Sequence, residues 1–244
     1  FKQKNHNWCG DCIISTDSLV GFGGYQEFGK KLSQADFVKA WSPVIRSYAV
    51  LSAKGSDRNM TVEIMGIDPV SFSEVTDFEN MLYYQKGEPS EAFEPVDSNL
   101  PGCVLGIDLA LARDQRGKYI HPNRRDLIAF EISSFPLTAK GALAKAGMGL
   151  VSSKTFYYSD DCQSGLAKID GSYVYLPFEE AQNLCGMVDN GKRVTQIRIK
   201  FEQGSSVAEA TERIKAMWDD FTESKKALPA ARLLENVNVQ TWKE

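Results

Sequence analysis

Hydrophobic positions near the start of the chain follow first a strand-like and then a helix-like pattern. Cys12 to Thr16 is a short run rich in β-branched residues, which favours a strand. The glycine cluster Gly21 to Gly24 interrupts it. Helical spacing follows at Phe28, Leu32, Phe37 and Trp41. Ser42-Pro43 predicts the end of these helical stretches, because the residue before a proline is biased away from the helical conformation.

A hairpin is predicted next. Val44 to Ala53 and Met60 to Ile67 are two strand-like runs, and residues 54–59 between them have the polar composition of a turn. We therefore expect residues 12–67 to form strand, helix, strand and strand.

The carboxy-terminal part returns to a clear periodicity. Val194 to Phe201 alternates, with apolar residues at Ile197, Ile199 and Phe201. Ser206 and Glu209 have the spacing of a capping box, and an amphipathic helix pattern follows and ends at Leu228-Pro229. Val237, Val239 and Thr241 alternate in a last strand. This end therefore predicts a second strand–helix–strand unit.

The middle of the chain is richer in proline and in short β-type runs. The strand predictions are Pro101 to Gly106, Leu127 to Ile132, Thr155 to Tyr158 and Tyr173 to Leu176. Helical turns are predicted for Ile107 to Ala112 and a helix for Pro177 to Met187, since proline suits the first turn of a helix. We predict an α+β fold in which residues 1–68 and 190–244 form one discontinuous subdomain around a β-rich insert, residues 69–189.

The composition is that of an ordinary folded protein. The chain has 244 residues, 43% hydrophobic and 25% charged, with a formal net charge of −4. That charge gives no electrostatic reason to expect nucleic acid as a partner. No apolar run approaches the roughly 20 residues needed to cross a bilayer, and the polar first residues do not resemble a signal peptide. Because the chain begins with Phe1, we expect a processed protein or a piece of a longer one.

The stretch Trp8-Cys9-Gly10-Asp11-Cys12 has the Cys-x-x-Cys spacing of a redox site. A reactive Cys9 would need a helix amino terminus to stabilise its thiolate, but strand-forming residues follow Cys12. A local disulfide and two free thiols remain open, with Gly10-Asp11 supplying a turn and Trp8 partly buried. His6, Cys9 and Cys12 have the spacing of metal ligands, but a structural zinc site needs four ligands and no second pair is present.

No other motif predicts an active site. His121 lies in a turn-like sequence and is expected to be a solvated loop histidine. Asp160-Asp161 is typical of solvated acids on a surface turn. Gly21 to Gly24 lacks the spacing of a phosphate-binding loop, and the aromatic residues of Thr155 to Tyr158 are expected in the core and at its rim. We predict no catalytic residue, no cofactor and no metal ligand.

Four stretches, which we call the landmark stretches, follow one another in the order of a known family. They are Val62 to Pro69, Gly102 to Ala110, Ser164 to Asp170 and Tyr173 to Leu184. The strand at Ile197 and Ile199 and the final residues Thr241 to Glu244 continue the series. Together they resemble the extracytoplasmic (periplasmic) core domain of MacB-type ABC transporter permeases, which include macrolide exporters and lipoprotein-releasing permeases. Residues 113–125 and 134–149 depart from the family pattern.

The resemblance implies a porter-like subdomain, with two β-α-β units, and a sabre-like inserted lobe. It implies a non-enzymatic domain outside the inner membrane that couples ATPase-driven motion to export or release of a substrate. The implied partners are an ABC ATPase subunit or domain, a second or related permease, and a substrate, carrier protein or outer-membrane-linked partner. The alternatives are a periplasmic thiol oxidoreductase using Cys9 and Cys12 and a stand-alone ligand-binding module.

Overall fold

Helices and strands alternate along the computed structural model, which describes residues 2–55, 58–97, 99–123, 125–143, 151–188, 191–227, 231–234 and 236–243. The helices are α1 (Lys2–Cys9), α2 (Tyr25–Leu32), α3 (Pro69–Val75), α4 (Phe78–Met81), α5 (Ile107–Ala110), α6 (Ala167–Ser172), α7 (Phe178–Leu184) and α8 (Val207–Lys225). The strands are β1 (Cys12–Thr16), β2 (Val38–Ala53), β3 (Asn59–Ile67), β4 (Gly102–Gly106), β5 (Ala129–Ser134), β6 (Ser152–Cys162), β7 (Tyr173–Pro177), β8 (Gln196–Phe201) and β9 (Val237–Thr241). Single 3-10 turns lie at Pro89–Glu91, Arg125–Leu127 and Ala231–Leu233.

Strands from the two ends of the chain form an antiparallel sheet in the order β9-β1-β8-β2. α2 connects β1 to β2 and α8 connects β8 to β9, so the predicted strand–helix–strand order at each end is confirmed. Both helices bury apolar faces in one core, where Phe28 of α2 meets Trp218 and Phe221 of α8. We call these strands, with α2 and α8, the end sheet.

The strands of the middle region close into a ring with the predicted hairpin. β2 pairs with β3, β3 with β7, β7 with β4, β4 with β6, β6 with β5, and β5 again with β2. One face of every strand in this ring contributes to a single apolar cluster, which therefore fills the inside of a barrel. α1, α3, α4 and α6 cover the outer faces of β3, β4 and β7, where Trp8, Phe72 and Phe78 are buried.

β2 is shared between the end sheet and the barrel. It pairs with β8 from Val38 to Val44 and with β3 from Val44 to Ser52. The helical prediction for Phe37 and Trp41 is therefore wrong, because pairing with β8 overrides the local spacing. The strand tolerates Pro43, since β3 joins only from Val44 onward and the missing N–H breaks no bond to β3.

The helix-and-sheet character of the fold is confirmed, while the porter-like and sabre-like division stays a prediction. β2 and β3 belong to the predicted segment 1–68, yet they pair with β5 and β7 of the predicted insert. Hydrogen bonding is thus continuous across the predicted boundary at 68/69. No helix among the described residues is long and apolar enough to cross a membrane.

Candidate functional site

The landmark stretches come together on one side of the barrel. β3 and β7 pair in parallel, from Glu63 opposite Tyr173 to Ile67 opposite Pro177. β4 pairs with β7 on its other side. Segments more than 100 residues apart in sequence are therefore immediate neighbours in space.

Two glycines in these stretches allow close approach between them. A Cβ atom added at Gly66 would lie 2.2 Å from Cβ of Ala181 in α7, far inside van der Waals contact. A Cβ atom added at Gly106 would lie 2.5 Å from the carbonyl oxygen of Asp170. Neither glycine has a positive φ. Their requirement for glycine therefore comes from packing between landmark stretches.

Asp170 fixes the remaining landmark turn. It is 4% exposed, and its carboxylate accepts hydrogen bonds from Ser164 N (2.8 Å), Ser164 Oγ (2.7 Å) and Gly165 N (2.9 Å). The turn places α6 against β4, where Gly106 meets the Asp170 carbonyl. A buried carboxylate with this many donors stabilises a defined backbone shape.

The Cys-x-x-Cys stretch spans the end of a helix and the start of a strand. α1 ends at Cys9, and Gly10 follows with φ of 82°, the left-handed conformation that often ends a helix. Cys9 therefore lies at a helix carboxy terminus and not at the helix amino terminus where a reactive Cys-x-x-Cys thiol is found. Burial raises the pKa of Cys12 to about 12. Cys9 and Cys12 are both free, so the open alternative resolves to two thiols.

Trp8 is buried more completely than expected, at 8% exposure. Its Nε1 donates to the hydroxyl of Tyr175 at 3.1 Å. The guanidinium of Arg198 lies 4.3 Å from the Trp8 ring and donates to the Trp8 carbonyl. Arg198 is 1% exposed although strand alternation put it on the polar face of β8, because α1 and α3 cover that face.

His6 pairs with a carboxylate instead of joining the cysteines. Its Nε2 lies 2.5 Å from Oδ1 of Asp11, whose other oxygen accepts from Phe201 N at 2.9 Å. Within the described ranges no three His, Cys, Asp or Glu side chains are grouped so that they could hold a metal ion.

A paired polar network lies where β2, β3 and β7 meet. Arg46 Nη2 donates to Glu63 Oε2 at 2.7 Å, and the Tyr173 hydroxyl donates to the same oxygen at 2.6 Å. Lys168 Nζ lies 3.0 Å from the other carboxylate oxygen. Burial alone would raise the pKa of Glu63, but the hydrogen bonds from Tyr173, Arg46 and Lys168 hold it below its usual value. Glu63 is therefore a stabilised anion.

The expectation that Asp160 and Asp161 are solvated acids on a surface turn is wrong. β6 is longer than predicted and includes both residues, each 0% exposed. Cys103 of β4 faces Tyr158 and Val104 faces Asp160, so Ser159 is an extra residue that forms a β-bulge. The bulge puts Tyr158 and Asp161 on the same face, towards the inside of the barrel, although their spacing would otherwise put them on opposite faces.

Asp160 and Asp161 have contrasting partners. Asp160 accepts hydrogen bonds from the backbone amides of Tyr83 (3.1 Å), Tyr84 (2.9 Å), Gln85 (2.8 Å) and Asp161 (2.7 Å). Burial raises the pKa of Asp160, and these amides oppose the shift. Asp161 is instead approached by two side chains, the hydroxyl of Tyr158 and the ring of His121. Burial raises its pKa to about 6.

His121 is not a solvated loop histidine, so that prediction is also wrong. Its Nδ1 lies 3.2 Å from Oδ2 of Asp161, and its ring stacks on Tyr83 with centroids 3.7 Å apart. The contact closes the loop after α5 over β6. Only the doublet Asp160-Asp161 marked this region in the sequence, and the bulge that turns it inward has no local signature.

The glycine cluster lies at a surface cavity, and the aromatic run lies in β6. Gly23 and Gly24 border a surface cavity of about 400 Å³ at the start of α2, together with Tyr25, Phe221 and Lys225. Phe156 and Tyr158 are buried while Tyr157 is half-buried, so the core-and-rim prediction for this run is confirmed.

Comparison with known proteins gives similar solved structures at low sequence identity. Neither a protein-family profile nor a curated protein matches the chain. Among solved structures, the periplasmic region of MacB from Actinobacillus actinomycetemcomitans is 14% identical, with 98% of this chain and 92% of that chain covered and a TM-score of 0.49. The extracellular domain of the ABC-type transporter YknZ from Gram-positive bacteria is 12% identical, with coverage of 95% and 98% and a TM-score of 0.43.

A domain of a Porphyromonas gingivalis protein described as a permease is 11% identical, with coverage of 97% and 89% and a TM-score of 0.46. The resemblance to a MacB-type periplasmic domain, expected from the landmark stretches, is confirmed.

Proposed function

We propose that this chain is the extracytoplasmic domain of an ABC transporter permease. It couples ATPase-driven motion to export or release of a substrate and does no chemistry itself. The observation that carries the proposal is the direct packing of the landmark stretches on one another, at Gly66 against Ala181 and at Gly106 against Asp170. Landmarks that touch define one structural unit, whereas chance similarities would be scattered over the surface.

The contact between α1 and the residues after β9 suits a domain that is held between two membrane helices. The rings of His6 in α1 and Trp242 after β9 lie with centroids 5.1 Å apart. The Trp242 amide donates to the Asp11 carbonyl at 3.3 Å. Segments that entered and left the domain here would be neighbours, as two adjacent membrane spans require.

The end sheet would carry motion from those spans to the barrel. β1 lies between β9 and β8 and follows α1 directly, and β2 continues from this sheet into the barrel wall. A displacement of α1 or β9 therefore reaches the barrel through paired backbone. In this role the partners are an ABC ATPase, a second or related permease, and a substrate or carrier protein on the periplasmic side of the inner membrane.

The complete gene and its neighbours provide the test. We expect hydrophobic spans on both sides of residues 1–244, and an ATPase that co-purifies with the complete protein from detergent-solubilised membranes. Deleting residues 12–241 should abolish export while ATP hydrolysis by the isolated ATPase continues. A complete protein without flanking spans, or one that purifies from membranes without an ATPase, would overturn the proposal. An unrelated membrane protein purified in parallel controls for carry-over.

A further inference from the structure

A small apolar pocket opens at one end of the barrel. Its volume is about 150 Å³, and Leu111, Ile120, Pro122, Ile128, Phe130 and Tyr158 contribute to its wall. Phe130 and Tyr158 belong to the apolar cluster that fills the barrel. We call this the mouth pocket. An apolar cavity of about 150 Å³ is large enough for benzene.

Buried polar atoms whose hydrogen bonding is incomplete gather beside the mouth pocket. Within the described part of the chain they include both carboxylate oxygens of Asp161, the hydroxyls of Tyr84 and Tyr158, and Nδ1 of His121. Tyr158 belongs both to this group and to the pocket wall, and Ile120 and Pro122 flank His121 in the chain. The Asp161 carboxylate offers more acceptor sites than the Tyr84, Tyr158 and His121 groups around it offer donors, so the group can take a further donor.

The charge of this group favours a cation as the partner. Asp161 supplies the carboxylate, while the acceptor capacity of the adjacent Asp160 is taken up by backbone amides. The guanidinium of Arg125 lies 3.9 Å from the ring of Tyr84 and donates to the Ser159 carbonyl at 2.8 Å. Tyr83, Tyr84, Tyr158 and His121 are the other titratable groups around Asp161 that the contacts in this region name. Their ring faces favour a cation further.

We propose that the mouth pocket binds a small organic ammonium cation, whose apolar group fills the pocket and whose ammonium group takes the place of His121 beside Asp161. The ammonium supplies three donors to an acceptor-rich group of atoms. This binding site does not depend on the proposed transport function.

His121 is suited to give way. Its Nδ1 lies 3.2 Å from Asp161 Oδ2, which is longer than a strong charge-assisted hydrogen bond. The side chain is 22% exposed, whereas that of Asp161 is 0% exposed. Because the imidazole is the more exposed of the two contacting groups, removing it should uncover the carboxylate.

Binding should depend on the ionisation of Asp161. Burial raises the pKa of this carboxyl to about 6, so most copies are neutral at pH 5 and ionised at pH 7.5. Because the cation binds the ionised form, its affinity should rise roughly tenfold between these values.

Benzylammonium and benzyl alcohol are a matched pair of probes, since they share a ring that fits the pocket and differ in charge. Isothermal titration of the protein at pH 7.5 should detect benzylammonium binding, and affinity for benzyl alcohol should be at least tenfold weaker. Asp161→Asn should weaken benzylammonium binding about tenfold or more, with circular dichroism checking its fold. Equal affinity for the two probes, or no binding at tens of millimolar (about 10–50 mM) of either, would overturn the proposal.

His121→Ala provides a second variant with the opposite expected sign. Removing the competing imidazole should strengthen benzylammonium binding about three- to tenfold, since the displacement step disappears. A purely structural role for His121 would instead loosen the loop and weaken binding. Loss of binding in His121→Ala with an intact fold therefore counts against the proposal, as does an affinity in the unsubstituted protein that stays constant from pH 5 to 7.5.

Discussion

The end sheet and the barrel share β2, but they differ in the charged groups that lie next to their apolar cores. In the end sheet, α2 and α8 bury aromatic side chains against β1 and β8, and the core there is apolar. The barrel encloses an apolar cluster as well, but it borders on the Glu63 network and on Asp161. The end sheet is stabilised by the apolar area that it removes from water. The barrel must in addition supply partners for buried charged groups, because a buried charge without them lowers stability.

Two of the buried carboxylates of the barrel region, those of Glu63 and Asp161, differ again. Glu63 receives Tyr173, Arg46 and Lys168, and its pKa falls below its usual value. Asp161 has only Tyr158 and His121 opposing the effect of its burial among its named neighbours, and its pKa rises. A carboxylate that accepts hydrogen bonds from several donors stabilises the fold. A carboxylate whose burial outweighs its hydrogen bonds lowers stability when it is ionised, and it can still accept further donors from a ligand. Substitutions in the two regions should therefore change the free energy of unfolding by different amounts, and a substitution of Asp161 should raise it rather than lower it.

The largest effect is expected in the end-sheet core. Trp218 is 2% exposed and packs edge-on against Phe22 and Phe28, with ring centroids 5.4 and 4.9 Å away. Trp218→Ala should lower the free energy of unfolding by about 3–5 kcal/mol, because it removes buried area and leaves a cavity. Urea denaturation followed by circular dichroism measures this. Asp219→Ala, on the exposed side of the same helix, is the control and should change stability by less than about 0.5 kcal/mol.

The next effect tests the close packing of the landmark stretches. Gly66→Ala should lower the free energy of unfolding by about 2–3 kcal/mol, since its new Cβ would lie 2.2 Å from Ala181. Gly171→Ala is the matched control in α6, where an added Cβ meets nothing within 4 Å and φ is not positive. It should be neutral or stabilising by up to about 1 kcal/mol. Equal losses in both variants would show that the Gly66–Ala181 contact is not special.

Asp161→Asn should stabilise the protein at neutral pH. The folded-state pKa, about 6, lies above the ordinary value of 3.8, so the folded state holds its proton longer than the unfolded state. Stability contributed by this group is therefore present at low pH and is lost as pH rises from about 4 to 6. The asparagine variant escapes this loss and should be more stable by about 1–2 kcal/mol at pH 7.5, with little difference at pH 4.

Asp160→Asn is the matched variant at the neighbouring residue, and it should change stability in the opposite direction. An amide nitrogen cannot accept from the backbone amides of Tyr83, Tyr84 and Gln85, so this variant should lose about 1–3 kcal/mol. Thermal unfolding of both variants across pH 4–7.5 measures the contrast. Destabilisation of both at pH 7.5 would mean that Asp161 is as well satisfied as Asp160.

The sequence predicted the end sheet better than the barrel because its signals are local. Periodicity and the Ser206 cap define α8, and alternation defines β8 and β9. The predictions that were wrong concern features that depend on distant parts of the chain. β2 is a strand through Trp41 because β8 lies beside it. Asp161 points inward only because of a bulge opposite β4, and His121 approaches it from another loop. The landmark stretches were informative because short patterns in them, such as the glycines Gly66 and Gly106, are required by contacts between distant segments.

The smallest effect concerns the helix cap at Ser206, the clearest local signal in the sequence. Ser206 Oγ accepts from the Glu209 amide at a long 3.5 Å, and Ser206 is exposed. Ser206→Ala should therefore cost only about 0.5–1 kcal/mol, at the lower end for a helix cap. Ser206→Asp should restore the lost stability, because aspartate also caps and its charge suits a helix amino terminus. A loss as large as that of Trp218→Ala would mean that local capping, rather than aromatic burial, holds α8 on the end sheet.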